Sequence, residues 1–152
     1  MLNKFFITVG YSGLSPKAPG TVGSFVALLV GMALLQFLDI TTLFLLSLLI
    51  SVIAVKQIDI YEKLTKTHDG KEIVIDELSG MWIAMGVAGV SGENWIMAIL
   101  AFLFFRLFDI WKPSIIGKID RDVSGGWGVM GDDMVAGVFA GLCTSLTYFL
   151  VF

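Results

Sequence analysis

The chain has 152 residues, a one-domain length, with 57% hydrophobic residues and a mean hydropathy of +0.88. Soluble domains average roughly 45–50% apolar residues, so a soluble globule of this composition would leave large apolar patches in water. The net charge of −3 and the scatter of the ten Lys and Arg residues argue against nucleic acid as a partner, and a lone cysteine, Cys143, excludes an internal disulfide.

The opening MLNKFFITVGYSG has too short and too interrupted an apolar run for a signal peptide. Gly and Pro punctuation up to residue 20 predicts an irregular loop after a short amphipathic start. Residues 21–38 (TVGSFVALLVGMALLQFL) carry no charge. As a helix they extend about 27 Å, close to the ~30 Å of a bilayer's hydrocarbon core. In PGTVGS (19–24), at the start of this run, Thr21 and Ser24 are candidate caps for the helix. Asp39 interrupts, and 40–55 is apolar again, so the short linker predicts a tight helical hairpin. Residues 56–67 change character, with Ile58, Tyr61 and Leu64 at helical spacing among polar residues. A separate amphipathic helix ending near Thr67 is expected, with His68-Asp69-Gly70 as its turn. A third apolar run covers 78–90, near the lower length limit for spanning, and Ser91-Gly92-Glu93-Asn94 reads as a turn. The fourth run, also short, covers 95–105, and its helix continues through Arg106 and Asp109 to Trp111, stopped by Pro113. A charged stretch reaches Asp133, and the uncharged 134–152 closes the chain, with Cys143 read as a small buried residue.

These elements predict an all-α fold: an integral membrane helical bundle of about five apolar segments, forming a single domain over 1–152. With the N-terminus in the cytoplasm and the segments alternating, all ten Lys and Arg residues fall inside. The connections at Asp39 and 91–94, and the C-terminus, carry none. The groups capable of chemistry then share the inner face, in 1–24, 56–77 and 106–133.

Three charged clusters meet helix ends: Asp76-Glu77, Arg106 with Asp109, and Asp132-Asp133. Arg106 and Asp109 are three apart, hence on one helical face. Carboxylates converging from different segments make an oxygen-rich pocket suited to a hard cation such as Mg²⁺, completed by waters and substrate phosphate. Single His68 and Cys143 argue against zinc. The plainer alternative is that such acids merely complement helix N-termini. Arg106, Lys112 and Arg121 lie near the acids, and Lys17 precedes the first helix, whose free N–H groups favour an anion. Thr21 and Ser24 could serve that anion or only cap, and Lys112 and Lys118 could instead anchor to anionic lipid. GGWGVMG reads as a backbone nest for phosphate or simply a tight loop. Together these features point to an anionic, phosphorylated substrate, a divalent metal and the inner face of a membrane. A phosphate-binding loop ending in Gly-Lys-Ser/Thr is absent, as is a Cys-x5-Arg thiolate site. DRDVS resembles an aspartate-phosphatase motif, but Ser124 takes the place of its Thr or Val and no buried strand precedes Asp120.

Four stretches, GLSPKAPGTVGS (13–24), IVIDELSGMWIAM (73–85), FRLFDIWKP (105–113) and KIDRDVSGGWGVMGDDMVAGV (118–138), resemble the phosphatidylglycerophosphatase A family of bacterial membrane lipid phosphatases. The resemblance covers nearly the whole length. It implies Mg²⁺-dependent hydrolysis of the terminal phosphomonoester of phosphatidylglycerophosphate to phosphatidylglycerol, a step of phospholipid biosynthesis. It also implies a multi-pass protein of the bacterial inner membrane with its site facing the cytoplasm. On that reading Asp76, Glu77, Asp109, Asp132 and Asp133 hold one or two Mg²⁺. Arg106, Lys112, Arg121 and Lys17 bind the phosphate beside Thr21 and Ser24, and Asp120 is the candidate nucleophile or base. Direct attack by water and an aspartyl-phosphate route both stay open, and His68 carries no role. The competing readings are a phosphatase for another lipid or isoprenoid phosphate, a small transporter, and a non-catalytic membrane subunit. Membrane lipids are partners in each, and an oligomer is compatible with all of them.

Overall fold

A computed structural model of the chain describes residues 6–10, 17, 19–66, 73–111, 115–122 and 125–152. Among them every regular element is a helix: α1 (Pro19–Leu34), α2 (Ile40–Thr65), α3 (Ile75–Ala88), α4 (Trp95–Trp111), α5 (Ile115–Asp122) and α6 (Gly125–Val151). The all-α expectation therefore holds, and no strand is present among the described residues.

The helix ends follow local chemistry. Pro19 opens α1, where a missing N–H costs nothing. Asp39 caps α2 by accepting the Thr42 N–H at 2.9 Å, and Lys66 ends it in the left-handed region at φ 54°. Gly89, at φ 74°, ends α3 and donates its N–H to the Met85 carbonyl at 2.9 Å. Asn94 Oδ1 accepts the Met97 N–H at 3.1 Å and caps α4.

The molecule is built around α3. It packs against α1, α2, α4 and α6, most extensively against α6. Twelve of its fourteen residues are buried. The α3–α6 crossing is close because glycines face each other there. A Cβ on Gly80 would stand 2.7 Å from the Asp133 carbonyl, and one on Gly141 2.7 Å from the Ala84 carbonyl. Gly137 is pressed against the Gly80 carbonyl itself. On α3's other sides, Trp82 Nε1 donates to the Ala27 carbonyl at 2.8 Å, and the Ser51 and Ser79 hydroxyls hydrogen-bond across α2 and α3. These polar groups are satisfied inside an apolar core of Met81, Met85, Phe105, Met130 and their neighbours.

The helices alternate in direction. Gln36 Nε2 donates to the Gly92 carbonyl at 2.8 Å, joining the α1–α2 and α3–α4 connections at one end. At the other end the Gly126 N–H donates to Asp59 Oδ1 at 2.6 Å, joining the late part of α2 to the start of α6. Outward faces are apolar: Leu45, Leu49 and Val52 on α2, and Leu142, Leu146 and Phe149 on α6, are all exposed. Trp95 and Trp111, both exposed, bracket α4 about 24 Å apart at ~1.5 Å per residue.

Several expectations change. All five apolar segments are helical, but among the described residues only two helices, within 40–65 and 126–151, are long and apolar enough by themselves to cross a membrane. α1, α3 and α4 have 16, 14 and 17 residues, or about 21–26 Å, short of the ~30 Å core. The expected α1–α2 hairpin does not form; each helix packs on α3 rather than extensively on the other. The amphipathic stretch 56–67 is no separate helix, since α2 runs unbroken through Val55 and Lys56 to Thr65. Its Ile58 and Tyr61 are buried, but Leu64 is exposed. The glycine-rich GGWGVMG is neither nest nor loop but the first turns of α6, with Gly126 lying on the Val55 carbonyl. Cys143 is half-buried rather than buried. The expected turn at His68-Asp69-Gly70 and the stop at Pro113 lie outside the described residues.

Candidate active site

The three charged clusters of the sequence meet at one end of the bundle. Asp76 and Glu77 stand in the first turn of α3, where the helix N-terminus favours negative charge. The turn is held in place from outside the helix, because the Val74 N–H donates to the Ile7 carbonyl at 2.9 Å. Arg106 and Asp109 share a face near the end of α4 and are hydrogen-bonded through Nη1 and Oδ2. The same Nη1 lies 3.9 Å from Glu77 Oε1, linking α4 to α3. Asp132 and Asp133 do not precede the last helix as expected; they lie two turns inside α6, where dipole complementation cannot explain them. Asp132 Oδ1 accepts the Asp133 N–H at 2.8 Å.

All five carboxylates are buried, Asp133 to 1% exposure and Glu77 to 8%. They form two sets, Asp76 with Glu77 and Asp133, and Asp109 with Asp132 and Asp133. Within each set the ligand oxygens lie within 4.8 Å of one another. Among the described residues, Glu77 Oε2, Asp133 Oδ2 and Arg106 Nε have no hydrogen-bond partner. Carboxylates taken out of water need a compensating cation or proton. Oxygen donors alone, at this spacing and with buried oxygens left over, fit a hard divalent cation.

The N-terminus of α1 reaches the same place. A Cβ on Gly20 would meet Glu77 Oε1 at 2.9 Å and Arg106 Nη2 at 3.4 Å, so the backbone of this turn lies directly on the ion pair. A side chain at this position would push the Glu77 and Arg106 head groups aside, and the Pro-Gly pair is the one sign of the contact in the sequence. Thr21 and Ser24 are not the caps of α1, because the helix starts earlier, at Pro19. Thr21 is half-buried in the first turn, and the buried Ser24 hydroxyl donates back to the Gly20 carbonyl at 2.8 Å. Lys17 is exposed just ahead of α1. Asp120 and Arg121 fall in α5, but their side chains, like the whole of Lys112, lie outside what the structure describes. Asp59 is a residue that sequence reasoning does not find: nothing in KQIDIYEK marks the group that receives the Gly126 N–H and fixes the start of α6.

Residues 5–148 match the family model for phosphatidylglycerophosphatase A. The phosphatidylglycerophosphatase A of Escherichia coli K12 is 39% identical over 145 residues, covering 95% of this chain and 81% of that protein. The Haemophilus influenzae protein of the same name is 34% identical, covering 88% of this chain and 82% of its own length. A Bacteroides thetaiotaomicron protein, provisionally named a phosphatidylinositol-3-phosphatase, is 36% identical over 85% of this chain and 82% of its own. No solved structure matches the chain. The chain belongs to the phosphatidylglycerophosphatase A family, whose named members are phosphoric monoester hydrolases.

Proposed function

We propose that the chain hydrolyses the terminal phosphomonoester of phosphatidylglycerophosphate, releasing phosphate and leaving phosphatidylglycerol in the membrane. The observation that carries this reading is the convergence of five buried carboxylates and Arg106 from three helices at one end of a bundle with apolar outer faces. Asp76, Glu77, Asp109, Asp132 and Asp133 would hold Mg²⁺, matching the oxygen-only donor set. When bound, the metal neutralises charge on the phosphoryl group and acidifies water. Arg106 keeps its guanidinium fixed through Asp109 and Glu77 and offers its remaining N–H donors to phosphate oxygens. The first turn of α1, packed on that ion pair, adds backbone N–H groups, and Lys17, Lys112 and Arg121 add charge. Thr21 and Ser24 shape the turn, and Asp120 is the candidate base or nucleophile.

One domain, 1–152, carries the whole activity in this reading. It sits as a multi-pass protein in the bacterial inner membrane, with α2 and α6 as full crossings and the shorter helices spanning beside them. The tryptophans bracketing α4 suit the two interfaces of a thin apolar layer. The distribution of Lys and Arg favours a site on the cytoplasmic side. The test is phosphate release by the purified chain from a panel of lipid phosphates, with and without Mg²⁺. Preferred, metal-dependent turnover of phosphatidylglycerophosphate is expected. Preference for a phosphatidylinositol 3-phosphate, the head group in the Bacteroides relative's name, would replace the substrate but keep the chemistry. No release from any lipid would overturn the proposal.

A further inference from the structure

The five carboxylates do not form one ring of ligands. They divide into two sets, and Asp133 belongs to both. It is also the most deeply placed of the five, at 1% exposure, and its Oδ2 has no hydrogen-bond partner among the described residues. Glu77, in the first set only, likewise buries an oxygen, Oε2, that has no hydrogen-bond partner among the described residues. A carboxylate with two oxygens, lodged between two groups of acids, can serve two ions at once. We propose that the site binds two divalent cations together, with Asp133 shared between them.

Charge supports the number. Two divalent cations and the guanidinium of Arg106 carry five positive charges, which match the five carboxylates. With a single ion the pocket would stay strongly negative and repel the phosphate dianion it is meant to admit. The fold supports the position. Asp133 sits within the close α3–α6 crossing, its own carbonyl against Gly80, so its side chain enters the cluster from a fixed backbone. The two sets draw on different helix pairs, α3 with α6 and α4 with α6. Asp133 lies on the helix common to both, and loss of one ion would leave the other set assembled. Two ions held by these carboxylates would neutralise charge on both the attacking and the leaving oxygens of phosphoryl transfer.

The inference rests on the metal-dependent reading above, and its test is made without lipid. The full chain in detergent is titrated with Mn²⁺ in place of Mg²⁺, and binding is followed by equilibrium dialysis and electron paramagnetic resonance. Two Mn²⁺ per chain are expected at saturation, with a spin-coupled spectrum instead of the six lines of an isolated ion. Asp133→Asn should abolish the coupled signal, while circular dichroism confirms that the variant keeps its helices. One Mn²⁺ per chain with an isolated six-line spectrum at saturation would overturn the proposal. A coupled signal that persists in folded Asp133→Asn would also overturn it, by removing the shared ligand. Coupled ions in a chain that releases no phosphate from lipid would sink the functional reading and leave this one standing. A single ion in an active phosphatase would do the reverse.

Discussion

The two ends of the bundle use the same residue type in opposite ways. At one end Asp39 is exposed, and its carboxylate caps α2 by accepting the Thr42 N–H. At the other, Asp132 and Asp133 lie inside α6, buried among further carboxylates. The first arrangement stabilises a helix and needs nothing else. The second destabilises the fold until something positive arrives, because like charges at short range in a poorly solvated site raise one another's energy. An acid that helps its own helix is structural. In the reading proposed above, acids that burden their helices together mark the place where the chain meets a ligand.

Three substitutions test that contrast. The largest effect is expected from Asp132→Asn, which keeps the side chain's shape and its acceptor for the Asp133 N–H. Phosphate release should fall by roughly 10²–10³-fold or more, the scale for removing one group that stabilises developing charge. The unfolding temperature in metal-free buffer should stay level or rise, since a like charge has been removed. If activity survives, or if stability falls with it, the acidic end is structural after all. An intermediate effect is expected from Gly137→Leu. Its side chain would be driven into the Gly80 carbonyl, and overpacking of this kind costs about 1–3 kcal/mol. Stability and activity should fall together here, because the α3–α6 crossing positions Asp76, Glu77 and Asp133 at once. Unchanged unfolding would mean that the two helices need not approach so closely.

The smallest effect belongs to Asp39→Ala at the far end. Turnover should not change, and thermal stability should drop slightly through loss of the cap. The Thr42 hydroxyl and backbone N–H hold the Asp39 carboxyl below its ordinary value of 3.8. A lowered folded-state value means that this contribution is complete above the ordinary carboxylate range. It fades as pH falls through the lowered value. The wild-type chain and the alanine variant should therefore converge in stability at strongly acid pH and separate above it. A gap that stayed constant with pH would show that the cap does not act through charge.

The helices and the acidic end are both legible in the sequence, for one reason. Apolar runs and charges are both statements about transfer from water, and hydropathy records transfer. It does not record whether an apolar side chain ends against lipid or against another helix, because the two are equally apolar. The run at 78–90 and the run at 40–55 therefore look alike. Yet Met81, Ile83, Ala84 and Met85 face protein on every side, whereas Leu45, Leu49 and Val52 face outward. By hydropathy alone the five runs are five equal crossings. The drop in hydropathy at Lys56 reads as a boundary, although Gln57, Ile58, Tyr61, Glu62 and Lys63 all tolerate a helix and the backbone continues. Glycine misleads in a similar way. In water it favours turns, but at Gly126, Gly137 and Gly141 its value is the absent Cβ, which lets a carbonyl of another helix come close. The acidic cluster is readable because carboxylates gathered beside apolar runs are costly to bury without a cation. The Gly20 contact and the Asp59 tie depend on which helices become neighbours, and no local pattern encodes that.

The enclosure of α3 also sets a timescale. Its amides are covered by four other helices, so they can exchange with solvent only when those helices separate. The amides of Met81 to Met85 should then be among the last in the chain to take up deuterium. Asp76 and Glu77 stand on the first turn of the same helix, so one wall of the pocket is anchored to an element enclosed by the rest of the bundle. In the proposed reading, movement that admits a lipid head group would come from the pieces around that wall, such as the first turn of α1, which rests on the ion pair through Gly20.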